Sequence, residues 1–256
     1  MNRAAFFGLA VAFLTLVFVF SQALPNEQPV DQLGTSNDRQ LFFASYGSPR
    51  LNGVADDDVW QTVEWLPLDQ CWVGVAPTTT DCAGRYKIAW DENNLYVLAE
   101  ITDDTLIDTH TDGLTKYWDD DCLEIFVDED ASGGNHQYSY NAFAYHIALD
   151  GKVVDIRPDS AFAYFNEHCI TRRTTIGHVS TWEVAVKLFD GNKFLNNGDD
   201  IPKLLKSGKK IGFALAYCDN DRSEERENFM GSVVVAGEDK NRGWIDAGIF
   251  GLLELK

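Results

Sequence analysis

Lys116–Asp130 reads KYWDDDCLEIFVDED, and its centre decides the fold. Cys122–Asp128 is expected to be a strand, because its β-branched and aromatic residues are bounded by acidic turn formers. A period of two puts Cys122, Glu124 and Phe126 on one face and Leu123, Ile125 and Val127 on the other. The second face is uniformly apolar and belongs to a core. The first carries a carboxylate in mid-strand, where burial without a partner is costly. Glu124 is therefore expected over a concave, wet surface, with Trp118 at the strand's entrance. A flat indole beside a fixed carboxylate suits a sugar ring: the indole covers the C–H face and the carboxylate accepts hydroxyls. The competing reading gives Trp118 to the core and Glu124 to a solvated outer face.

The rest of the chain repeats the same kind of segment. Arg85–Trp90 and Asn94–Ile101 alternate as a half-buried meander does, joined by the turn Asp91-Glu92-Asn93. Gln137–Leu149 alternates again, and Asp150-Gly151 turns it into Lys152–Ile156. Thr181–Leu188, Ile211–Tyr217, Asn228–Val235 and Ile249–Leu255 read as further strands, with Arg157–Ser180 less regular. Leu51–Trp60 reads as a short strand, a turn and one helical turn. The one longer helix expected lies around Pro202–Lys206, with proline at a permitted early position. Many short strands with almost no helix mean an all-β fold, an antiparallel β-sandwich of immunoglobulin-like or jelly-roll type. Trp60, Trp90 and Trp182 are expected in its core.

Composition narrows the function. The 256 residues include seven Trp, and 12% are aromatic, enough for exposed aromatic platforms beside a core. Residues 1–23 resemble a secretory signal: Arg3, then the apolar run Ala4–Phe20, then Ser21-Gln22-Ala23 as a small-x-small cleavage site. An exported chain, periplasmic or extracellular, is expected, with no membrane span after cleavage. An uncleaved anchor is the alternative, since the run approaches the length of a span. Residues 24–40 are polar, with Pro25, Pro29 and Gly34, and read as a flexible leader. The folded domain then covers 41–256. Losing Arg3 with the signal takes the net charge from −19 to −20. Such a chain is disfavoured on nucleic acid, anionic polysaccharides and acidic membranes, and suits neutral glycans or cations. Of five cysteines, Cys71 and Cys82 flank a turn-rich loop and are the first candidate disulfide.

Four patches resemble the family 9 carbohydrate-binding module. They are Leu51-Asn52-Gly53 through Trp60, the hairpin Trp90-Asp91-Glu92-Asn93 with Leu95–Ala99, Trp118-Asp119 through Leu123–Asp128, and Trp244 with Phe250-Gly251 and Leu253–Leu255. The resemblance spans roughly residues 46–256. It implies a β-sandwich, found beside glycanase domains, that binds the reducing ends of β-linked glycans without catalysis. It also implies a clamp of two Trp around a terminal sugar, placed here at Trp118 and Trp244, with the family carboxylate at Glu124. His146 falls where the family has an arginine. Asp219 matches one of an Asn-Asp pair whose first position here is Cys218, and Asn220 is a further polar candidate.

Three other chemistries fit parts of the chain. Asp128-x-Asp130-x-Ser132-Gly133 starts like a calcium loop but lacks the glutamate that closes one, Ser139 standing at its twelfth position. A solvated acidic loop is the competing reading, and calcium remains open because family members can bind it. Glu124 could pair with Asp121 or Asp219 as a glycosidase, which needs two carboxyls flanking one bond. His146 and Met230 could ligate a haem for electron transfer. No serine-hydrolase elbow, P-loop or dinucleotide fingerprint is present.

Overall fold

A computed structural model describes residues 39–256 except 111 and 223. The signal segment, residues 1–23, and nearly all of the expected leader lie outside the described residues. The strands are β1 (Leu41–Tyr46), β2 (Leu66–Leu68), β3 (Gln70–Val73), β4 (Cys82–Trp90), β5 (Leu95–Asp103), β6 (Cys122–Asp128) and β7 (Phe143–Ala148). They continue with β8 (Val153–Ile156), β9 (Phe162–Tyr164), β10 (Cys169–Ile176), β11 (Val179–Val186), β12 (Lys210–Asp219), β13 (Asn228–Gly231) and β14 (Gly251–Leu255). One sheet has the order β14-β12-β6-β7-β8-β9, with β13 and β3 continuing from the end of β12; the other has the order β10-β11-β5-β4, with β2 on β4.

The first strand ties the two sheets together. Leu41–Ala44 pairs with β14 in one sheet, and Ser45–Tyr46 pairs with β4 in the other. Both pairings are parallel, the one departure among the described residues from an otherwise antiparallel sandwich. Between the sheets, Phe42, Tyr86 and Phe213 meet with ring centroids 6.3–6.4 Å apart. Trp90 and Trp182 are buried, as expected.

Turn chemistry sets the hairpins. The Asp91 side chain accepts from the backbone N–H of Asn93 and Asn94 and closes the β4–β5 turn. Gly151 supplies the left-handed residue (φ 84°) between β7 and β8. Pro202–Lys206, expected as a helix, has no regular structure. Its backbone is used elsewhere: Lys203 N–H donates to Leu188 and Leu205 N–H to Glu92. The helical turn expected at the end of Leu51–Trp60 forms as α1 (Asp58–Thr62), but no strand precedes it in that segment. Strand β10 runs antiparallel to β11 through the stretch expected to be irregular, and its alternating half-exposed pattern marks an edge strand.

The segment Leu51–Trp65 covers the outer face of the β4–β5–β11 sheet, where Trp60 packs with Ala89, Tyr96, Leu98 and Ala185. It is pinned by Glu183, a fully buried residue of β11. One carboxylate oxygen accepts from the N–H of Asn52 (2.8 Å) and Gly53 (2.7 Å), and the other from Trp60 Nε1 (2.8 Å). Removing Glu183 strands three donors in a dry interior, each costing about 1–3 kcal/mol if unsatisfied. Glu183→Ala is therefore expected to lose roughly 3–5 kcal/mol of stability, read as a lower urea midpoint with the slope unchanged.

Candidate functional site

The β6 register sorts its side chains as the period requires. Leu123 lies opposite Tyr217 on β12, and the Tyr217 hydroxyl donates to Asp103 of the other sheet, so that face looks into the sandwich. Cys122, Glu124 and Phe126 look outward. The outward face is not wet, however: every residue of β6 is buried. Loops from three parts of the chain roof it and leave a cavity of about 310 Å³. Small-ligand pockets run from roughly 300 to 1,000 Å³.

Trp118 and Trp244, far apart in sequence, both line this cavity, and both are half-buried. Trp118 is braced edge-on by Tyr117 (5.0 Å between centroids) and by Phe162 of β9 (5.7 Å). Tyr117 in turn stands edge-on to His146 at 4.7 Å. On the other side, Gly243 lets the Trp244 loop press onto the sheet. A Cβ there would lie 2.7 Å from the Phe126 ring. Trp72 packs edge-on against Phe126 and Phe229 behind the cavity.

Glu124 and His146 are register partners on β6 and β7. Glu124 Oε2 lies 3.1 Å from His146 Nε2, and His146 Nδ1 lies 3.2 Å from the Ala144 carbonyl oxygen. Both ring nitrogens thus face acceptors, which favours the doubly protonated imidazolium. Burial pushes the His146 pKa down, but the Glu124 carboxylate outweighs it and the net shift is upward. Asp155, also on the cavity wall, accepts from the N–H of Ala144 and Ile156. Its burial outweighs those bonds and raises it to about 7.

Asp155 was missed from the sequence, and so were Arg226 and Asn241. Arg226 Nη1 donates to Cys218 Sγ and Nη2 to Asn241 Oδ1, both at 3.1 Å, and its guanidinium lies 4.1 Å over the Phe229 ring. His146 stands where the resemblance gives the family an arginine; the cavity receives a guanidinium from the loop after β12 instead. Asn241 stands three residues before Trp244, a spacing that could have flagged it.

Asp219 and Asn220, expected in the site, are not in the cavity. Asn220 is buried behind it, its backbone N–H donating to Asp121 Oδ1 (2.8 Å) and its side chain to the Asp119 carbonyl (2.5 Å). Asp219 faces inward and joins Asp103 and Asp121, whose carboxylate oxygens all lie within 4.8 Å of one another. Burial, reinforced by this crowding, raises Asp121 to about 9 and Asp219 to about 7. Asp81, Asp104 and Asp221 form a second, shallower group. These all-oxygen sets have the chemistry of a hard-cation site. The Asp128–Gly133 loop instead closes on itself, with Asp128 accepting from Gly133 N–H at 2.7 Å.

The same parity removes two alternatives. Asp121 and Asp219 lie on the opposite face of the sheet from Glu124, so neither can flank a bond beside it. Met230 pairs with Tyr217, whose side chain points inward, while His146 is aligned with Glu124 and Ala216 on the outward face. With β12 and β6 between their strands, at about 4.8 Å per step, His146 and Met230 cannot share one iron. The Cys71–Cys82 disulfide is not formed either. Cys71 is on β3 in one sheet and donates to the Val73 carbonyl, while Cys82 is on β4 in the other, and all five cysteines are unbonded.

A β-sandwich with an aromatic-walled pocket on one sheet is the architecture of a class of non-catalytic binding modules. The family described as "Carbohydrate family 9 binding domain-like" matches residues 51–256, and this chain belongs to it. Endo-1,4-beta-xylanase A of Thermotoga neapolitana is 26% identical over 213 residues, and Exoglucanase XynX of Acetivibrio thermocellus 33% over 221. These matches cover 83% and 86% of this chain but only 17% of each relative. A family 9 module from Caldicellulosiruptor kristjanssonii, solved with cellotriose, has the same fold with a TM-score of 0.62. It is 22% identical, covering 85% of this chain and 94% of that one.

The inward carboxylates make a pH prediction. Asp121 is raised from 3.8 to about 9, so over that range the folded protein binds more protons than the unfolded chain and its stability falls as pH rises. In chelator-treated protein, wild type is expected to lose stability relative to Asp121→Asn between about pH 4 and pH 9, measured by urea unfolding of both. Calcium held by these carboxylates would favour the ionised form and abolish that relative loss.

Proposed function

We propose that this chain binds the terminal sugar of a neutral β-linked glycan in the cavity between Trp118 and Trp244. The observation that carries the reading is that these two indoles line one sugar-sized cavity together with a buried carboxylate. In it the rings stack on the two apolar faces of the pyranose. Glu124, held by His146, accepts from ring hydroxyls, and Asn241 and Arg226 supply further polar contacts. The solved relative bound to cellotriose supports a β-1,4-linked glucan as the first ligand to test.

The cellular role follows from that binding. The chain acts outside the cytoplasm, exported by residues 1–23, and holds a polysaccharide close to the glycanases that degrade it or to the machinery that takes it up. Its net charge of −19 keeps anionic glycans away. Among the described residues no helix is long and apolar enough to cross a membrane.

Titration calorimetry with cellotriose and xylotriose tests the reading. Stacking adds about 1 kcal/mol per ring contact beyond the area buried. Trp118→Ala and Trp244→Ala are each expected to weaken binding at least tenfold. Neither should move the unfolding midpoint much, because both side chains are half-buried at the cavity rim. A variant that binds normally but unfolds easily assigns its Trp to the core and overturns the clamp.

A further inference from the structure

Beneath the cavity lies a pair of thiols with no role in the binding so far described. Cys122 and Cys218 are register partners and form the last rung of the β6–β12 ladder. Opposed residues of an antiparallel pair have Cα atoms about 4.5 or 5.5 Å apart. Both spacings fall within the roughly 4.4–6.8 Å that a disulfide spans. Cys122 shares the outward face of Glu124, so both sulfurs sit directly behind the pocket floor. The Cys122 thiol donates to the Cys218 sulfur. That sulfur is also the acceptor for Arg226 Nη1, at 3.1 Å.

We propose that Cys122 and Cys218 are a cross-strand redox pair, and that closing their disulfide releases Arg226 Nη1 to the sugar pocket. The release rests on the sugar-binding reading above; the bond itself does not.

The chemistry is thiol–disulfide exchange. Burial pushes the Cys218 thiol up, but the Cys122 S–H and the Arg226 guanidinium outweigh it and leave Cys218 the more acidic partner. Burial and the bond to Cys218 hold the Cys122 thiol well above its ordinary range. Cys218 loses its proton, and the resulting thiolate attacks a sulfur of a disulfide oxidant, such as oxidised glutathione, expelling a thiolate that takes up that proton. Cys122 then loses its proton, attacks Cys218 and expels the second. Two S–H bonds break and one S–S bond forms inside the protein, while the oxidant takes two electrons and two protons. An oxidising exterior supplies such a partner. Both thiols are fully buried, and Cys122 is also in register with Ala148 on β7 and Cys218 with Phe229 on β13, so the oxidant reaches them through local opening of these strand ends.

The coupling to the pocket is geometric. Closing the bond draws the Cys218 sulfur to about 2.05 Å from the Cys122 sulfur, away from the place where it accepts from Arg226 Nη1. In the reduced state Arg226 Nη1 is held by sulfur. In the oxidised state that donor is free to turn toward a sugar hydroxyl, while Nη2 stays on Asn241. One added charge-assisted hydrogen bond is expected to tighten sugar binding roughly tenfold.

The test uses the full chain equilibrated with reduced or with oxidised glutathione. Alkylation in denaturant and peptide mapping score the bond, and calorimetry with cellotriose scores the affinity. The expected result is a Cys122–Cys218 linkage only in the oxidised sample, with tighter binding there. Cys122→Ser should form no linkage and bind equally in both buffers, and Arg226→Ala should keep the linkage but lose the redox dependence. Both cysteines remaining alkylatable after oxidation would overturn the redox pair. A linkage with unchanged cellotriose affinity would overturn the coupling to Arg226. Absence of cellotriose binding in both states would count against the sugar reading and the coupling, and mapping would still decide the bond.

Discussion

A carboxylate in the middle of a strand buried on both faces is the constraint the rest of this structure answers to. Glu124 cannot be left unpartnered there without a penalty of several kcal/mol. Its partner comes from the neighbouring strand: the β6–β7 register sets His146 directly opposite. A slip of one residue would put a tyrosine or an isoleucine beside the carboxylate and turn Glu124 into the sandwich core. The hydrophobic pattern and the ion pair therefore select the same register. The same partner raises the histidine in turn, because acceptors at both ring nitrogens favour its protonated form.

Parity along β6 and β12 then divides the chemistry of the molecule. On the outward side lie Glu124, His146 and the aromatic wall. On the inward side, past Tyr217, lie Asp103, Asp121 and Asp219, which cannot all be ionised at once in a dry interior. The two groups are a few residues apart in sequence and on opposite faces of one sheet. The outward pocket holds Glu124, paired with His146, and a second carboxyl, Asp155, tied to the backbone N–H groups of Ala144 and Ile156.

The pocket walls belong to the loops. The Trp118 side is built by packing Tyr117, Phe162 and His146 edge to edge, so the indole is located by a chain of aromatic contacts leading back to Glu124. The Trp244 side depends on a close approach that only Gly243 permits. Arg226 closes the back. In a chain with so strong a negative charge, this half-buried cation is held by sulfur, an amide oxygen and an aromatic face.

Much of this was legible in the chain itself. The alternation in Cys122–Asp128, the Asp91 turn and the Asp150-Gly151 turn determined strands, faces and the sandwich class, because those depend on local geometry with a period of two. The resemblance around Trp118, Glu124 and Trp244 named residues that the fold does bring to one cavity. Other features were out of reach for physical reasons. Asp219 and Asn220 lie next to Cys218, whose side chain does border the site, but facing is decided by cross-strand register, which no local pattern near them reveals. Arg226 and Asn241 lie in loops, where period carries no information, and they meet only because β12 and β14 fold back beside β6. The strand β10 was hidden because its edge position lets polar residues, Thr171–Thr175, occupy both of its faces. The Cys71–Cys82 pairing failed because nearness in sequence does not place two strands in the same sheet. The sequence alone determined which residues must share a face; only the tertiary structure decided which faces meet, since that depends on sheet order and loop closure set by packing across the whole core.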